Sequence, residues 1–415
     1  MKFVADFHIH SKYSRATSRD MDLENLDKWA KIKGIKILGT GDFTHPEWFK
    51  NLKENLMPAE TGLFKLKNSN SETRFILTSE ISCIYTKGGK VRKIHVIIFS
   101  PSLEVVEKIN TQLGWIGNLK SDGRPILGLD AKELAKIVLN ISDDCLIVPA
   151  HIWTPWFSIF GSKSGFDSIE RCFEDYSKYI FAGETGLSSD PSMNWRLSAL
   201  DGISLISNSD AHSPQKIGRE ANVFDTEISY QSITEAIKSK NPQKFLYTVE
   251  FFPEEGKYHF DGHRLCETRL SPQETKKYNG TCPVCGKPLT IGVLNRVEQL
   301  ADRPEGFKPE GAVPFKSLVP LAEIIADVLG LGVGTKEGER EYQNLIEKFG
   351  SEFNVLLDVA REELERITSP EIAEGIVRVR EGKVIREPGY DGVYGKIKIF
   401  SREEEKNFSK QSTLF

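Results

Sequence analysis

The chain has 415 residues, more than one ordinary hydrophobic core holds, so we expect two or three domains. Hydrophobic residues make up 39% and charged residues 27%, a balance that excludes an intrinsically disordered chain. Lys and Arg number 55 against 59 Asp and Glu, so the net charge is −4. Because this net charge does not attract a polyanion, any contact with nucleic acid must come from local basic patches.

The longest apolar stretch, from Leu318 to Val333, is interrupted by Glu323 and Asp327, so we expect no membrane span. The chain begins MKFVADFHIH, which lacks the apolar block of a signal peptide and predicts a cytoplasmic protein. Six cysteines are too few for a disulfide scaffold and agree with a reducing compartment.

Short β-branched runs, each followed by a polar loop and a helical stretch, repeat over the first 250 residues. The runs lie at 36–42, 74–81, 95–100, 145–151, 179–185 and 203–210. Continuous apolar runs that end in a polar residue are typical of parallel strands with helices on both faces. Six or seven such units predict a β/α barrel, in which functional residues gather at the C-terminal ends of the strands.

The composition changes after residue 250, which predicts further domains. We expect a barrel at 1–250, a zinc-binding module at 251–292, a helical C-terminal domain with a closing hairpin at 293–400, and a mobile tail at 401–415. Apolar residues at i, i+3, i+4 and i+7 spacing from Phe353 to Leu364 predict one amphipathic helix. The Gly-rich segment 383–400 predicts the closing hairpin.

Histidines concentrate beside the predicted strand ends of the barrel. They are His8, His10, His45, His95, His151 and His212. Residues i and i+2 of a strand share one face, so His8 and His10 can bind one metal, and Asp210 with His212 repeats the pattern. Together with Glu80 at the end of the run 74–81, this concentration predicts a metal cluster. Since one zinc ion needs fewer ligands, we expect two or three divalent metals (Zn, Mg or Mn) bridged by carboxylates.

The order H-x-H, Asp or His, Glu, His, His, D-x-H resembles the PHP (polymerase and histidinol phosphatase) superfamily of metal phosphoesterases over residues 1 to about 250. The resemblance implies a distorted β/α barrel with a trinuclear site. The implied ligands are His8, His10, Glu80, His95, His151, Asp210 and His212, of which Glu80, Asp210 and His212 are also expected to be catalytic. The second motif departs from the pattern because Phe43 follows Asp42, so the ligand is expected to be either Asp42 or His45.

A second metal site is predicted after the barrel. His263-x2-Cys266 and Cys282-x2-Cys285 are two short chelating pairs separated by fifteen residues. Four ligands from two tight turns predict a structural zinc ribbon. His259 is an alternative fourth ligand, although its seven-residue distance from Cys266 fits such a turn less well.

PHP motifs followed by these cysteine turns and a helical C-terminal region resemble the endonuclease Q family. Further matching segments are ETGLSSDPSMNWRLSALD at 184–201 and PGYDGVYG at 388–395. The resemblance implies a repair endonuclease that cleaves DNA on the 5′ side of uracil, hypoxanthine, xanthine and abasic sites. Two alternatives stay open, a small-molecule phosphoesterase of the histidinol phosphatase kind and a catalytically inactive DNA-binding protein.

The chemistry of such a reaction suggests where the substrate binds. No nucleophilic Ser or Cys motif is present, so attack by metal-activated water is favoured. A deaminated base must leave the helix before a pocket can contact its edge. We expect Trp153 and Trp156 to stack on the extruded base, and Glu184 and Ser188 to bond its edge. The alternative for Glu184 is a position beside the metals.

Local basic residues are candidates for contacts with the phosphate backbone. The turn KGGKVRK at 87–93 carries Lys90 and Arg92 shortly before His95, which favours a grip on phosphates. Lys120 and Arg124 are a weaker candidate, and a solvated loop is the favoured interpretation there.

The C-terminal residues suggest a partner besides damaged DNA. In the segment Lys410–Phe415, Gln411 is followed three residues later by Leu414, which resembles the start of a sliding-clamp-binding peptide. The aromatic pair of the full motif is missing, because the sequence stops at Phe415. Tethering to a clamp would raise the local concentration of the enzyme on DNA.

Overall fold

The structure is a computed structural model that describes residues 1–401 and Glu404. The predicted clamp-binding segment, residues 410–415, lies outside the described residues and stays a prediction.

Strands occur along most of the described chain. They are β1 (Lys2–Asp6), β2 (Ile35–Gly39), β3 (Leu56–Pro58), β4 (Phe64–Leu66), β5 (Arg74–Lys87), β6 (Lys90–Ser100), β7 (Ile126–Leu127), β8 (Leu146–Pro149), β9 (Ala182–Glu184), β10 (Ser204–Ile206), β11 (Ala221–Asp225), β12 (Phe245–Glu250), β13 (Asp261–His263), β14 (Thr268–Leu270), β15 (Phe315–Ser317), β16 (Ile385–Glu387) and β17 (Lys396–Lys398).

Helices alternate with the strands at first and dominate after residue 293. They are α1 (Leu23–Lys33), α2 (Pro46–Asn55), α3 (Leu103–Gly114), α4 (Ala131–Ile141), α5 (Ile169–Phe173), α6 (Pro191–Asn194), α7 (Tyr230–Ser239), α8 (Pro272–Lys277), α9 (Val293–Leu300), α10 (Leu321–Leu329), α11 (Lys336–Phe349), α12 (Glu352–Leu357), α13 (Arg361–Leu364) and α14 (Pro370–Arg380).

The strands form the distorted β/α barrel that the sequence predicts. β1, β2 and β5 are parallel neighbours, and β9 pairs in parallel with β10. β6 lies between β5 and β8 and is antiparallel to both. A parallel bridge between Ile9 and Ala211 joins the segment after β10 to the end of β1. The carboxyl ends of β1, β2, β9 and β10 therefore surround one face of the barrel.

One predicted strand is antiparallel to its neighbours, whereas the sequence predicts a parallel strand. The run 95–100 was expected to be one of the parallel strands, but it belongs to the hairpin of β5 and β6. Gly88 and Gly89 connect the two strands with φ values of 61° and 72°. Glycine adopts positive φ without steric cost, so the pair forms a tight two-residue turn that reverses the chain.

α1 shows how the sequence positions the helices around the barrel. The carboxylate of Asp22 accepts the N–H of Asn25 and caps the helix, and Gly34 ends it with a φ of 84°. Leu23, Leu26 and Ala30 are buried on one face. Any side chain at Gly34 would collide with Ser351, since its Cβ would lie 2.6 Å from the Ser351 Oγ.

The C-terminal region packs directly onto the barrel. β15 pairs in parallel with β12 and extends the barrel sheet. The buried Lys33 of α1 contacts Glu352 of α12 at 2.6 Å. The predicted domain boundaries at 250 and 292 stay a prediction, and these contacts show that the regions on either side share packing.

The apolar stripe from Phe353 to Leu364 is not one helix, which corrects the prediction. α12 stops at Leu357, and the N–H groups of Asp358 and Val359 both donate to the carbonyl oxygen of Asn354 at 3.0 Å. This pair of bonds is typical of a helix end. The closing hairpin is present, because β16 and β17 pair antiparallel.

In the part of the chain that the structure describes, no helix combines the length and the hydropathy that crossing a membrane requires.

Candidate metal centre

The predicted ligands meet in two groups that share one carboxylate. His8, His10, Glu80 and Asp210 form the first group, with one donor atom of each within 4.8 Å of the others. Glu80, His95 and His151 form the second group by the same measure. Donor atoms this close fit around a single ion, because metal–ligand bonds of about 2.0–2.2 Å place two ligands of one ion roughly 3–4 Å apart. Glu80 therefore belongs to both groups.

The strand hairpin positions the second group. Glu80 lies in β5, and His95 faces Ser82 across the β5–β6 pair. The Glu80 Oε1 lies 2.7 Å from the His95 Nδ1 and 3.1 Å from the His151 Nε2. His151 follows β8, and Ala150 donates its N–H to the carbonyl oxygen of His95. Strand pairing thus positions Glu80 and His95, and the irregular backbone just after β8 brings His151 to the same point.

Three site residues at strand ends adopt a backbone conformation that is rare outside glycine. Asp42, His151 and Asp210 have φ values of 49°, 29° and 46°. Such conformations cost on the order of 1–3 kcal/mol each and persist where the surroundings enforce them, most often at functional sites. Sequence patterns carry no signal for this strain.

One buried atom in the centre has no partner within the protein. The Nε2 of His8 is fully enclosed and makes no hydrogen bond, although Glu80 and Asp210 lie 3.4 Å and 3.7 Å away. A buried polar atom without a partner is costly, and a metal ion would satisfy it. The donor set of imidazoles and carboxylates fits Zn, Mn or Mg ions.

The carboxylate of Glu184 lies against the far ring nitrogen of His8, so the alternative position beside the metals is favoured and a contact with the base edge gains no support. The carboxylate is buried and lies 2.9 Å from the His8 Nδ1. It also accepts the backbone N–H of His151 at 2.8 Å and the amide of Asn208 at 2.9 Å. A carboxylate on the far nitrogen of a ligand histidine fixes its tautomer and raises its basicity. Glu184 therefore contacts one residue of each donor group, His8 and His151.

Neither candidate of the second motif enters a donor group among the described residues. Asp42 lies behind His10, with its Oδ1 3.0 Å from the His10 Nδ1, and its Oδ2 accepts the hydroxyls of Ser11 and Ser14. His45 lies outside both groups and stacks on Tyr13 with ring centroids 4.4 Å apart. The expectation of a direct ligand thus gains no support at either residue, and Asp42 acts on His10 as Glu184 acts on His8.

His212 lies at the rim of the centre and outside both groups. Its Nδ1 lies 2.9 Å from the carbonyl oxygen of Asp210, and its ring packs on His10 at a centroid distance of 4.6 Å. Its Nε2 is not part of either group, so its role as a ligand stays a prediction.

Arg124 belongs to the centre, contrary to the expectation of a solvated loop. Its Nη1 donates to the Glu80 Oε2 at 3.1 Å. The loop folds back onto the barrel because Gly123 donates its N–H to Tyr13 and Ser82 donates its N–H to Pro125. These contacts join segments far apart in sequence, so no local pattern predicts them.

Electrostatics in the centre favours ionised carboxylates. Burial alone would raise the pKa of Glu80, but His95 and Arg124 hold this pKa well below its usual range. Burial lowers the pKa of His95 to about 4, so this imidazole is neutral at physiological pH and able to bind a metal.

The two tryptophans predicted to stack on a base differ in exposure. Trp153 is buried, its Nε1 donates to the Oδ1 of Asn194 at 2.7 Å, and its ring packs on Phe160. It is a core residue, which corrects the prediction. Trp156 is 37% exposed and meets Tyr258 at a centroid distance of 5.5 Å, so it stays a candidate.

Ser188 and the basic hairpin turn lie outside the donor groups. Ser188 is buried against Gly256, since a Cβ added at Gly256 would lie 2.7 Å from the Ser188 Oγ. Arg92 lies over the Phe166 ring and donates to the carbonyl oxygen of Gly165, so its guanidinium is already bound within the protein, which weakens its predicted role. Lys90 is exposed at the hairpin tip, about 16 Å along the strand from His95.

A basic rim that the sequence analysis missed lies beside the centre. The loop after His10 exposes Lys12, Arg15 and Arg19. This loop is tied to the site, because Ser18 donates its N–H to the carbonyl oxygen of His212. The H-x-H motif a few residues earlier is the signal that could have drawn attention to these cations.

The four residues predicted to bind a structural zinc come together, and the fourth member of the group is His263 and not His259. Donor atoms of His263, Cys266, Cys282 and Cys285 lie within 4.8 Å of one another. The separation of 3.7 Å between the His263 Nδ1 and the Cys285 Sγ fits the edge of a zinc tetrahedron. His259 is buried away from this group and stacks on Phe260.

Burial alone would raise the pKa of the Cys282 thiol, but the hydroxyl of Thr268 and the backbone amides of residues 284 and 285 lower it. A lowered thiol pKa favours the thiolate that zinc requires.

Comparisons with known proteins agree with this picture. The "PHP-associated" family matches residues 195–242, and the "MJ0043 C-terminal domain" family matches residues 320–383. The uncharacterised protein YqxK of Bacillus subtilis is 30% identical over 417 residues, which cover 96% of this chain and 99% of YqxK. The uncharacterised protein MJ0043 of Methanocaldococcus jannaschii is 34% identical over 314 residues, and the match spans 38% of that longer protein.

Two solved structures match nearly the whole chain. The lesion-specific endonuclease PfuEndoQ of Pyrococcus furiosus has a TM-score of 0.85 and 33% identity, and the match covers 98% of this chain and 99% of that one. A complex of endonuclease Q with a 27-mer duplex that carries an abasic lesion at the active site has a TM-score of 0.86 and 34% identity, with 98% of each chain covered.

The barrel and its two donor groups around one carboxylate define a metal-dependent phosphoesterase of the PHP type. The His/Cys cluster and a helical region follow the barrel, and the two matches extend over these parts as well, since they cover 98% of this chain. The chain belongs to the endonuclease Q family.

Proposed function

We propose that this protein is a metal-dependent DNA repair endonuclease that hydrolyses the phosphodiester on the 5′ side of uracil, hypoxanthine, xanthine and abasic sites. The observation that carries the proposal is Glu80, which both donor groups share, with Arg124 bound at its outer edge. The matched endonuclease Q complex supports the substrate class, because an abasic lesion lies at the active site of that protein.

The proposed ligands of the metals are the residues of the two donor groups. His8, His10, Glu80 and Asp210 would hold one ion, and Glu80, His95 and His151 a second. When bound, such ions activate water at neutral pH and neutralise charge on a phosphodiester. A third ion has no donor group of its own among the described residues.

The protein's own side chains account for the rest of the chemistry. Arg124 presents a guanidinium beside Glu80, where it can bind a non-bridging phosphate oxygen and stabilise the negative charge that develops there. Asp42 and Glu184 hold His10 and His8 in position through their Nδ1 atoms. The rim cations Lys12, Arg15 and Arg19 would bind the neighbouring phosphates of the DNA strand.

Trp156 and the adjacent Phe157 are the proposed contacts of an extruded base. Phe157 packs on His95 with ring centroids 4.6 Å apart, so this loop lies directly at the second donor group. Trp156 is exposed next to it and offers an aromatic face for stacking. Because stacking suits any base, hydrogen bonds from other groups must distinguish deaminated bases from normal ones.

A small-molecule phosphoesterase would use the same donor groups, so the centre by itself does not select the substrate. Two features favour DNA: the open basic rim beside the centre, and a zinc module and helical region that a small phosphate ester does not need. An inactive DNA-binding protein is disfavoured, because both donor groups retain their side chains.

The test compares three classes of substrate with the same metal-loaded protein. Labelled duplexes carry uracil, hypoxanthine, an abasic site or no lesion, and histidinol phosphate serves as the small-molecule alternative. We expect cleavage 5′ of each lesion, little cleavage of the undamaged duplex, and loss of cleavage with a chelator. Hydrolysis of histidinol phosphate without cleavage of any duplex would favour the phosphatase, and DNA binding without either reaction would favour the inactive protein.

A further inference from the structure

Three apolar side chains are exposed together at the edge of the catalytic face. Trp115 is 75% exposed, Ile116 38% and Ile126 52%. The two segments that carry them touch, because a Cβ at Gly117 would lie 3.8 Å from the carbonyl oxygen of Ile126. Isolated exposed apolar residues are ordinary, whereas a contiguous patch indicates a surface that binds something. We call these three residues the apolar rim.

The apolar rim is held rigidly and close to the metal centre. Ile126 lies in β7, opposite Ser82 of β5. Ser82 is two residues from Glu80, about 7 Å along the strand. Trp115 directly follows α3, and its N–H donates to the carbonyl oxygen of Gln112. The same loop continues to Arg124, whose guanidinium contacts Glu80.

The surroundings of the rim indicate a polyanionic partner. Residues 112–126 include two cations, Lys120 and Arg124, and one acid, Asp122. Asp122 is buried, accepts the N–H of Arg15 and pairs with its guanidinium at 3.3 Å. The groove lined by Gly114, Gly117 and Lys120 also contains Lys50, Lys53 and one acid, Glu107, so the charge beside Trp115 is positive. An exposed indole ring flanked by cations suits stacked bases bordered by phosphates better than it suits a second protein surface.

We propose that the apolar rim inserts Trp115 into the base stack beside the lesion and so stabilises extrusion of the target nucleotide. This inference rests on the proposed function. Extrusion costs unstacking energy, and an inserted apolar side chain replaces the stacking that is lost. Base pairs are spaced about 3.4 Å apart. A patch within a few base-pair steps of Glu80 would therefore face the pairs that flank the lesion.

An inserted side chain can act as a wedge only in a duplex, because a single strand has no base pair to open. The experiment therefore compares the two forms of one substrate. Trp115→Ala and Trp115→Phe are compared with the wild-type protein on one uracil-containing strand, either alone or annealed to its complement. We expect Trp115→Ala to lose at least tenfold in rate on the duplex while the single strand is cut within twofold of wild type. Trp115→Phe should recover most of the duplex rate, because phenylalanine still stacks.

Tyr179→Ala is the matched control, since Tyr179 is an aromatic residue with 40% exposure that precedes β9 at the opposite end of the strands. A 2-aminopurine beside the uracil reports unstacking in chelator, without cleavage, and its fluorescence should rise with wild type and less with Trp115→Ala. Equal losses on duplex and single strand, or an unchanged duplex rate, would overturn the wedge. Loss of a concentration-dependent dimer in Trp115→Ala, with duplex cleavage unchanged, would assign the rim to self-association. Failure of the wild type to cut either strand would contradict the proposed function instead.

Discussion

The Nη1 of Arg124 donates to the Oε2 of Glu80 at 3.1 Å, although 44 residues separate the two in the chain. This contact places a permanent positive charge beside the carboxylate that both donor groups share. Arginine is charged at any physiological pH and presents a planar fork that matches phosphate oxygens. The contact therefore connects the proposed metal centre with the proposed phosphate site.

A substitution of Glu184 tests whether this residue positions His8 or contacts the substrate. Glu184→Gln should lower cleavage about 10–100-fold, because the carboxylate that orients His8 is replaced by a neutral amide. The factor should be the same for uracil and abasic duplexes, and DNA affinity should be unchanged. If Glu184 instead bonded a base edge, the abasic substrate, which has no base, would be cut at the normal rate.

Gly123 tests how closely the loop of Arg124 packs on the centre. A Cβ at this position would lie 2.2 Å from the Asp42 Oδ2 and 2.4 Å from the Ser14 Oγ. Gly123→Ala must displace Asp42 and with it His10, so we expect a loss of about 100-fold in kcat. Gly128→Ala, just beyond β7, is the control, because a Cβ at that position would meet no atom within 4 Å. Equal activities of the two variants would show that Asp42 does not fix His10.

The zinc module should be structural and not catalytic. Cys285→Ser removes one of four ligands, so the protein should lose one equivalent of tightly bound zinc and unfold at a temperature lower by roughly 5 °C. Cys145→Ala, at a buried thiol of the barrel, should keep the zinc. Metal analysis that finds the same zinc content in Cys285→Ser and wild type would rule out the assignment.

Two buried carboxyls beneath the centre predict how stability depends on pH. Burial raises the pKa of Glu250 to about 8, and burial together with Glu250 raises the pKa of Glu220. The folded state therefore holds protons that the unfolded state releases above about pH 4.3. Their contribution to stability is complete below that pH and is lost as the pH rises through 8.

Glu250→Gln should flatten this dependence, because the amide is uncharged at every pH. Denaturant unfolding between pH 5 and 9 checks the prediction, with the exposed Glu107→Gln as control. A variant whose stability still falls from pH 5 to 9 as steeply as wild type would contradict the role of Glu250.

The sequence predicts most of the fold and most members of the donor groups because those signals are local. Apolar runs that end in His, Asp or Glu indicate the strands and their functional ends, and the spacing of His8 and His10 or of Cys282 and Cys285 indicates shared metals. The predictions that fail concern residues whose positions depend on contacts between distant segments. Arg124 reaches Glu80 only because its loop folds back on Tyr13 and Ser82.

The errors over aromatic and acidic side chains have the same origin. Trp153 and Trp156 are three residues apart in one loop, yet the first is buried and bonded to Asn194, whereas the second is 37% exposed. The sequence predicts both Glu184 and Glu80 at strand ends, but the Nδ1 of His8 and the N–H of His151 engage the Glu184 carboxylate. Only the packed structure shows which carboxylate joins the donor groups and which holds their histidines.

We propose that the donor groups around Glu80 form the site that cuts lesion-containing DNA. The most direct measurement maps the products from an end-labelled abasic duplex after incubation with wild type and with Glu80→Gln, both purified identically and shown to be folded by circular dichroism. We expect one cut on the 5′ side of the lesion by wild type, and a loss of at least about 1,000-fold in Glu80→Gln, because both donor groups lose their shared negative charge. Cleavage at the same position and rate by the folded Glu80→Gln protein would contradict this proposal.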